Sequence, residues 1–220
     1  CADMVRRYGE IDAAISIVAL GRLGVKQLTA GSDLDLLVIY DAAPDIFSNG
    51  QRKLPAASYV LRLAQTMVSW ISTPTAEGTL YDVDLRLRPE GQAGAVATSI
   101  DRLATYFDRD AWIWEKQALT KARPIAGDTG LSNKIQKMIN RVVNHNHPKD
   151  RLVTAISDMR QRIQKQQKPA SQWHLRQIAG GLTDIDLLIQ AWRLQYGALF
   201  SGSGQTAEVI LQTLYDHDVI

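Results

Sequence analysis

A chain of 220 residues with 45% hydrophobic content can bury one large core or two small ones. Its formal net charge of +2 is too small for bulk nucleic-acid binding, and its single cysteine, Cys1, excludes a disulfide framework or a thiolate zinc site. The longest apolar run, LLVIY, is too short to span a bilayer, and no basic region followed by an apolar block marks a secretory signal. The expectation is a cytoplasmic protein with neither a membrane nor a nucleic acid as partner. The chain starts without Met and moves almost at once into a strand-like run, which reads as a segment of a longer protein.

In chain order, ISIVAL (15–20) is β-like, residues 21–28 form a tight turn into a short helix, and LDLLVIY (34–40) is the next strand. Residues 41–55 carry Pro, Gly, Asn and scattered charge, the composition of a surface loop. Val60, Leu63, Ala64, Met67, Val68 and Ile71 repeat at helical spacing and predict an amphipathic helix against a sheet. TLYDVDLRLRP alternates: Tyr81, Val83, Leu85 and Leu87 on one face of a predicted strand, Asp82, Asp84, Arg86 and Arg88 on the other. Thr98, with Asp101 three residues on, starts a predicted helix over 100–121, interrupted near 108–110. Beyond Asp128 only helices are expected, over 131–144, 151–165, 183–196 and 207–215. The fold class is therefore α+β, a mixed sheet with helices followed by a helical-bundle region. The division falls into residues 1–128 and 129–220, the second part incomplete at its C-terminus.

Asp33 and Asp35 are two apart on a strand, so they share a face with Cα atoms about 6.6 Å apart. Two carboxylates brought within about 4 Å repel by about 4 kcal/mol at an effective dielectric near 20, which a bridging cation relieves. Magnesium suits hard oxygen ligands and the phosphates of a nucleotide. Asp84 supplies a third acid if its strand lies beside theirs. Three such acids can hold two metal ions about 3.5–4 Å apart, the arrangement for in-line displacement at phosphorus. Arg86 and Arg88 share the face of Asp84 and can meet phosphate charge; salt bridges to Asp82 and Asp84 on an exposed face are the plain alternative. Gly21 and Gly24 let backbone amides approach a phosphate, although GRLG matches neither a P-loop nor a dinucleotide-binding fingerprint.

The blocks GRLG, GSDLDLLVIYD, YDVDLRLRPEGQAG, TSIDRLATYFDRDAWIWEKQALTKARPIAGD and GGLTDIDLLIQ, in this order, resemble glutamine synthetase adenylyltransferase. That family carries two related nucleotidyltransferase domains of the DNA polymerase beta superfamily, an N-terminal deadenylylating one and a C-terminal adenylylating one. TSID, AWIWEKQAL and ARPIAGD are similar to the C-terminal domain. The resemblance implies transfer of AMP from ATP to a tyrosine of glutamine synthetase, with release of pyrophosphate. Phosphorolytic deadenylylation and a non-catalytic nucleotide-binding module are the alternatives. It further implies that Asp33, Asp35 and Asp84 bind two Mg2+ ions and that Asp84 is the base. Gly21, Ser32, Arg86, Arg88, Lys121 and Arg123 match the family's nucleotide-binding positions, and the regulatory protein PII is implied as a partner of the full-length protein.

Three positions depart from the wording that resemblance leads one to expect: Val25 stands for the second of two paired glycines, Ile178 for a Gly, and Asp186 for a Glu. Asp184 and Asp186 read as helix-start acids, Trp112 and Trp114 as core or interdomain packing, and His145 and His147 as loop residues without acids at ligand spacing.

Overall fold

The computed structural model describes residues 2–79, 81–87, 94–166, 171 and 173–220, so that Arg88 and Cys1 lie outside the described residues. The chain divides into two compact units, Cys1–Asp110 with Ala122–Met138, and Ala111–Lys121 with Ile139–Ile220. The boundary expected after residue 128 falls inside the first of these, between a strand and a helix.

The first unit is built on a mixed sheet, which bears out the α+β class. Its strands are β1 (Ala14–Ala19), β2 (Leu34–Asp41), β3 (Val83–Asp84), β4 (Ala97–Ser99) and β5 (Arg123–Gly127). β1 lies antiparallel between β2 and β5. The other edge of β2 is shared by two parallel partners, with β3 beside Leu34 and Asp35 and β4 beside Val38, Ile39 and Tyr40. β2 is the central strand, and its run Leu36, Leu37, Val38, Ile39 is buried throughout, as an unbroken apolar stretch must be when both faces are covered. Helix α3 (Ala56–Ile71) lays Val60 and Ala64 on Val38 and Ala97, and α1 (Ala2–Tyr8) packs Met4 and Tyr8 on Tyr59. This unit also holds the four-residue α2 (Gly21–Gly24), residues 129–138 of a helix that continues into the second unit, and α4 (Ile100–Arg109), whose N-cap is Ser99 accepting from Arg102 N–H, one residue beyond the expected Thr98.

Among its described residues, 81–87, the alternating stretch after Leu80 forms far less strand than its pattern predicts: only Val83 and Asp84 pair. The cause is local. The Asp84 carboxylate accepts the Arg86 backbone N–H at 2.8 Å, a side-chain turn that takes the backbone out of the ladder. β5 was not expected either. It contains Pro124, tolerated because among the described residues the strand pairs only with β1 and sits at the edge, and it ends at Gly127. Gly127 has φ +113°, and a Cβ there would lie 2.1 Å from the Ile15 carbonyl oxygen.

The second unit is helical. α5 (Ile113–Leu119), α7 (Lys149–Gln166), α8 (Leu182–Gln195), a short 3-10 turn (Gly197–Leu199) and α9 (Ala207–Asp216) belong to it, with residues 139–143 of α6 (Thr129–Val143). Its core gathers Ile189, Phe200, Ile210 and Leu214. Among the described residues no helix is long and apolar enough to cross a membrane.

Candidate active site

The start of β2 brings the acids together. Asp33 is exposed just before the strand, Asp35 is half-buried within it, and in the parallel β2–β3 register Asp35 stands directly opposite Asp84. Register partners on neighbouring strands lie about 4.8 Å apart, so two carboxylates share one edge of the sheet with a third two residues upstream. The positive charge beside them is Arg86. Its Nε donates to Oδ1 and Oδ2 of Asp84 at 3.0 and 2.8 Å and its Nη2 to Oδ2 at 2.5 Å, with Asp84 17% and Arg86 66% exposed. The hydrogen bond to Asp84 and the charge of that carboxylate push the Arg86 guanidinium above its ordinary pKa, with smaller contributions from Asp35 and Asp33. Among the described residues no three His, Cys, Asp or Glu side chains converge as a metal-ligand set. The oxygens of Asp84 point to Arg86 instead. As donors the three acids are nonetheless the hard oxygen ligands that magnesium takes.

The glycine turn abuts the same acids. Gly21 has φ +52°, and a Cβ on it would lie 2.2 Å from Asp35 Oδ2. Only glycine lets the turn pass this close to the carboxylate. Replacing Gly21 by alanine is expected to lower stability by about 1–2 kcal/mol from the left-handed backbone alone, and to push Asp35 aside. Urea denaturation reads the first effect, and a chain as stable as the parent would show that the turn adapts. Val25, which departs from the family wording, is buried and caps α2 with its N–H on Gly21 O at 3.4 Å, so its bulk goes into the core. Arg123 donates from Nε to Gly24 O at 2.9 Å and from Nη2 to Leu23 O at 3.1 Å, satisfying the C-terminal carbonyls of α2.

Ser32 is tied into a hydroxyl cluster: its Oγ lies 2.8 Å from Thr29 Oγ1, and Arg22 Nη1 donates to Thr29 Oγ1 at 2.8 Å. Ser32 and Asp33 line a cavity of about 160 Å3 with Gly31, Thr79, Tyr81 and Asp82. Arg22 escaped the sequence reading, although a cation inside the glycine turn was the available signal. So did Tyr81, which had been assigned to the apolar face of the strand.

Lys121 belongs to the second unit and is engaged there. Its Nζ meets both oxygens of Asp186 at 2.6 and 2.7 Å, and Gln190 Nε2 adds a third hydrogen bond to Asp186. Asp186 is therefore an ion-pair partner, whereas Asp184 does behave as a helix-start acid, accepting Gly180 N–H at 2.8 Å while pairing with Arg160. Trp112 is not a packed core residue: it is 66% exposed and, with Trp114, Met159 and Arg162, lines a cavity of about 440 Å3 within the second unit. His147 is partly buried with Nε2 3.1 Å from Val142 O, and burial lowers its pKa, as suits a structural imidazole.

Comparison with known proteins places this geometry. Residues 2–138 match the family described as Glutamate-ammonia ligase adenylyltransferase. The chain is similar to the bifunctional glutamine synthetase adenylyltransferase/adenylyl-removing enzyme of Mesorhizobium japonicum, 39% identical over 213 residues, which is 95% of this chain and 22% of that protein. It is also similar to the proteins of the same name from Brucella suis biovar 1, 40% identical over 86% of this chain and 19% of the relative, and from Xanthobacter autotrophicus, 43% identical over 81% and 18%. The chain thus spans about a fifth of the length of these relatives. Since the matched residues run from α1 into α6 and include both β2 with its acids and β3 with Asp84, the chain belongs to the glutamate-ammonia ligase adenylyltransferase family.

Proposed function

We propose that residues 1–128 form a nucleotidyltransferase domain of the DNA polymerase beta type that transfers AMP from ATP to a tyrosine of glutamine synthetase. The observation that carries this reading is the β2–β3 register: it sets Asp84 opposite Asp35 at the same end of β2 as the Gly21 turn. In this reading Asp33, Asp35 and Asp84 hold magnesium, which when bound neutralises charge on the triphosphate. Asp84 accepts the phenolic proton as the tyrosine oxygen attacks the α-phosphorus. The new oxygen–phosphorus bond forms as the bond to the bridging oxygen breaks, and pyrophosphate leaves. Arg86, released from Asp84, turns its fork to phosphate oxygens, as planar guanidinium groups do well. Gly21 and Ser32 border the triphosphate, and Arg123 acts through the turn whose carbonyls it holds. We extend the phosphate-binding role to Arg88, from its place two residues beyond Arg86, and to Lys121, which would exchange Asp186 for phosphate. The catalytic part is taken as residues 1–128 and the helical part as 129–220; the site is cytoplasmic, and PII acts on the full-length protein.

The test is incorporation of label from α-labelled ATP into glutamine synthetase in the presence of magnesium. Labelling that is lost in Asp33→Asn supports the reading. ADP formation from phosphate and adenylylated glutamine synthetase, with no forward labelling, assigns the chain to the reverse reaction instead.

A further inference from the structure

The glycine turn carries a cation of its own. Arg22 follows Gly21 directly, and its guanidinium reaches the turn that precedes the acids, donating from Nη1 to Thr29 Oγ1 at 2.8 Å and, more loosely, to Ser32 Oγ at 3.4 Å. That second turn is closed by the Ser32 N–H on the Thr29 carbonyl at 3.0 Å, with Gly31 inside it at φ +74°. The Thr29 N–H returns to Ser32 Oγ at 3.2 Å, and the two hydroxyl oxygens lie 2.8 Å apart. Asp33 comes next in the chain and borders the same cavity as Ser32.

This cluster holds more donors than it can use. Its two side-chain oxygens, Thr29 Oγ1 and Ser32 Oγ, receive the Arg22 Nη1 and Thr29 N–H groups and share one hydroxyl proton between them. A hydroxyl that accepts from a charged donor becomes the better donor itself, so Arg22 favours Thr29 as donor to Ser32. The spare proton is then that of Ser32, which meets no acceptor among the described residues. Nε and Nη2 of Arg22 meet none among them either, and these two atoms form one edge of the guanidinium fork. Arg86 and Arg123 differ, since Nε and Nη2 of the first are taken by Asp84 and those of the second by the carbonyls of Gly24 and Leu23. A fork held in place by Thr29, with a hydroxyl donor beside it, suits a ligand group with several anionic oxygens. We propose that Arg22, seated on Thr29 and Ser32, binds the phosphates beyond the α-phosphorus, so that the site selects a nucleoside triphosphate and holds the departing pyrophosphate. The assignment rests on the nucleotidyltransferase reading of the acids.

Calorimetry on the 220-residue chain with magnesium and without glutamine synthetase tests this, with α,β-methylene-ATP in one titration and pyrophosphate in another. Arg22→Gln should weaken both about tenfold, as loss of a charge-assisted fork does. Arg22→Lys, which keeps the charge without the fork, should recover part of that loss. Thr29→Val, which removes only the hydroxyl that seats the guanidinium, should weaken both about threefold. Binding of Mn2+ alone, read by electron paramagnetic resonance, should be unchanged in Arg22→Gln, because the role assigned to Arg22 lies at phosphate and not at the acids. Unchanged pyrophosphate affinity in Arg22→Gln would overturn the proposal, and so would a loss matched by an equal loss of Mn2+ affinity, since Arg22 would then serve by holding Asp33 in place. A parent chain that binds neither α,β-methylene-ATP nor pyrophosphate overturns the nucleotidyltransferase reading together with this role for Arg22.

Discussion

Asp84→Asn is expected to reduce AMP transfer by about 1000-fold or more while leaving the folded chain nearly as stable as before. Loss of a positioned base alone costs about 10²–10⁴ in rate, and the same substitution removes one of three proposed metal carboxylates. Stability is expected to change by less than about 1 kcal/mol, because two effects oppose each other. The Arg86–Asp84 pair is lost, but its guanidinium is 66% exposed and pairs of that kind contribute little. Meanwhile the repulsion between Asp84 and its register partner Asp35 disappears. A large loss of rate with an unchanged urea midpoint separates a reacting residue from a structural one. A second readout needs no turnover: binding of Mn2+ as a magnesium substitute, followed by electron paramagnetic resonance, should weaken in Asp84→Asn and strengthen in Arg86→Gln, because Arg86 competes for the same oxygens. Equal Mn2+ affinity in parent and Arg86→Gln would show that the Arg86 fork does not compete with a cation.

The acids and the central strand were legible in the sequence for one reason. β2 is buried on both faces, so its apolar run is unbroken and the two aspartates at its start stand out. The amphipathic helices were legible too, since α3, α7, α8 and α9 each differ from their expected spans by only a few residues at either end. What failed has local causes. Perfect alternation over 81–88 predicted a long strand, but the same Asp84 that marks the site bonds the backbone of Arg86 and ends the pairing after two residues. β5, of sequence RPIAG, hid behind a proline and a glycine that an edge strand tolerates. The partners of charged residues were the least legible part. Arg123 was expected at a phosphate and is found on the carbonyls of Leu23 and Gly24, about a hundred residues earlier in the chain, a contact no spacing rule reveals.

Arg193 shows the same limit inside the helical unit and leads to the second large expected effect. In the sequence it interrupts the apolar run of AWRLQY, where an exposed helix face would be the ordinary reading. In the structure its side chain is fully buried. Its guanidinium donates to Val143 O at 2.9 Å, Asn144 Oδ1 at 2.7 Å, Gln205 Oε1 at 3.0 Å and the Gly202 carbonyl, and lies 4.2 Å over the Phe200 ring. One planar fork thereby joins the C-terminal end of α6, α8 and the loop before α9. All four acceptors are neutral, so burial pulls the Arg193 pKa down to about 10, which still leaves it charged at neutral pH. The folded chain binds fewer protons here than the unfolded chain between about pH 10 and the ordinary arginine value above it. Stability from this group therefore rises with pH only across that window and is flat from pH 6 to 9. Arg193→Ala is expected to cost about 3–5 kcal/mol, the sum of a cavity and several stranded acceptors. Arg193→Met decides between the two contributions, since it restores most of the volume but no donor: if hydrogen bonding dominates, Met stays close to Ala in urea denaturation. Arg193→Lys, with its charge but without the fork, should recover about half of the loss. A methionine chain as stable as the parent would mean that Arg193 serves the helical unit by filling space, and that the four oxygens find water instead.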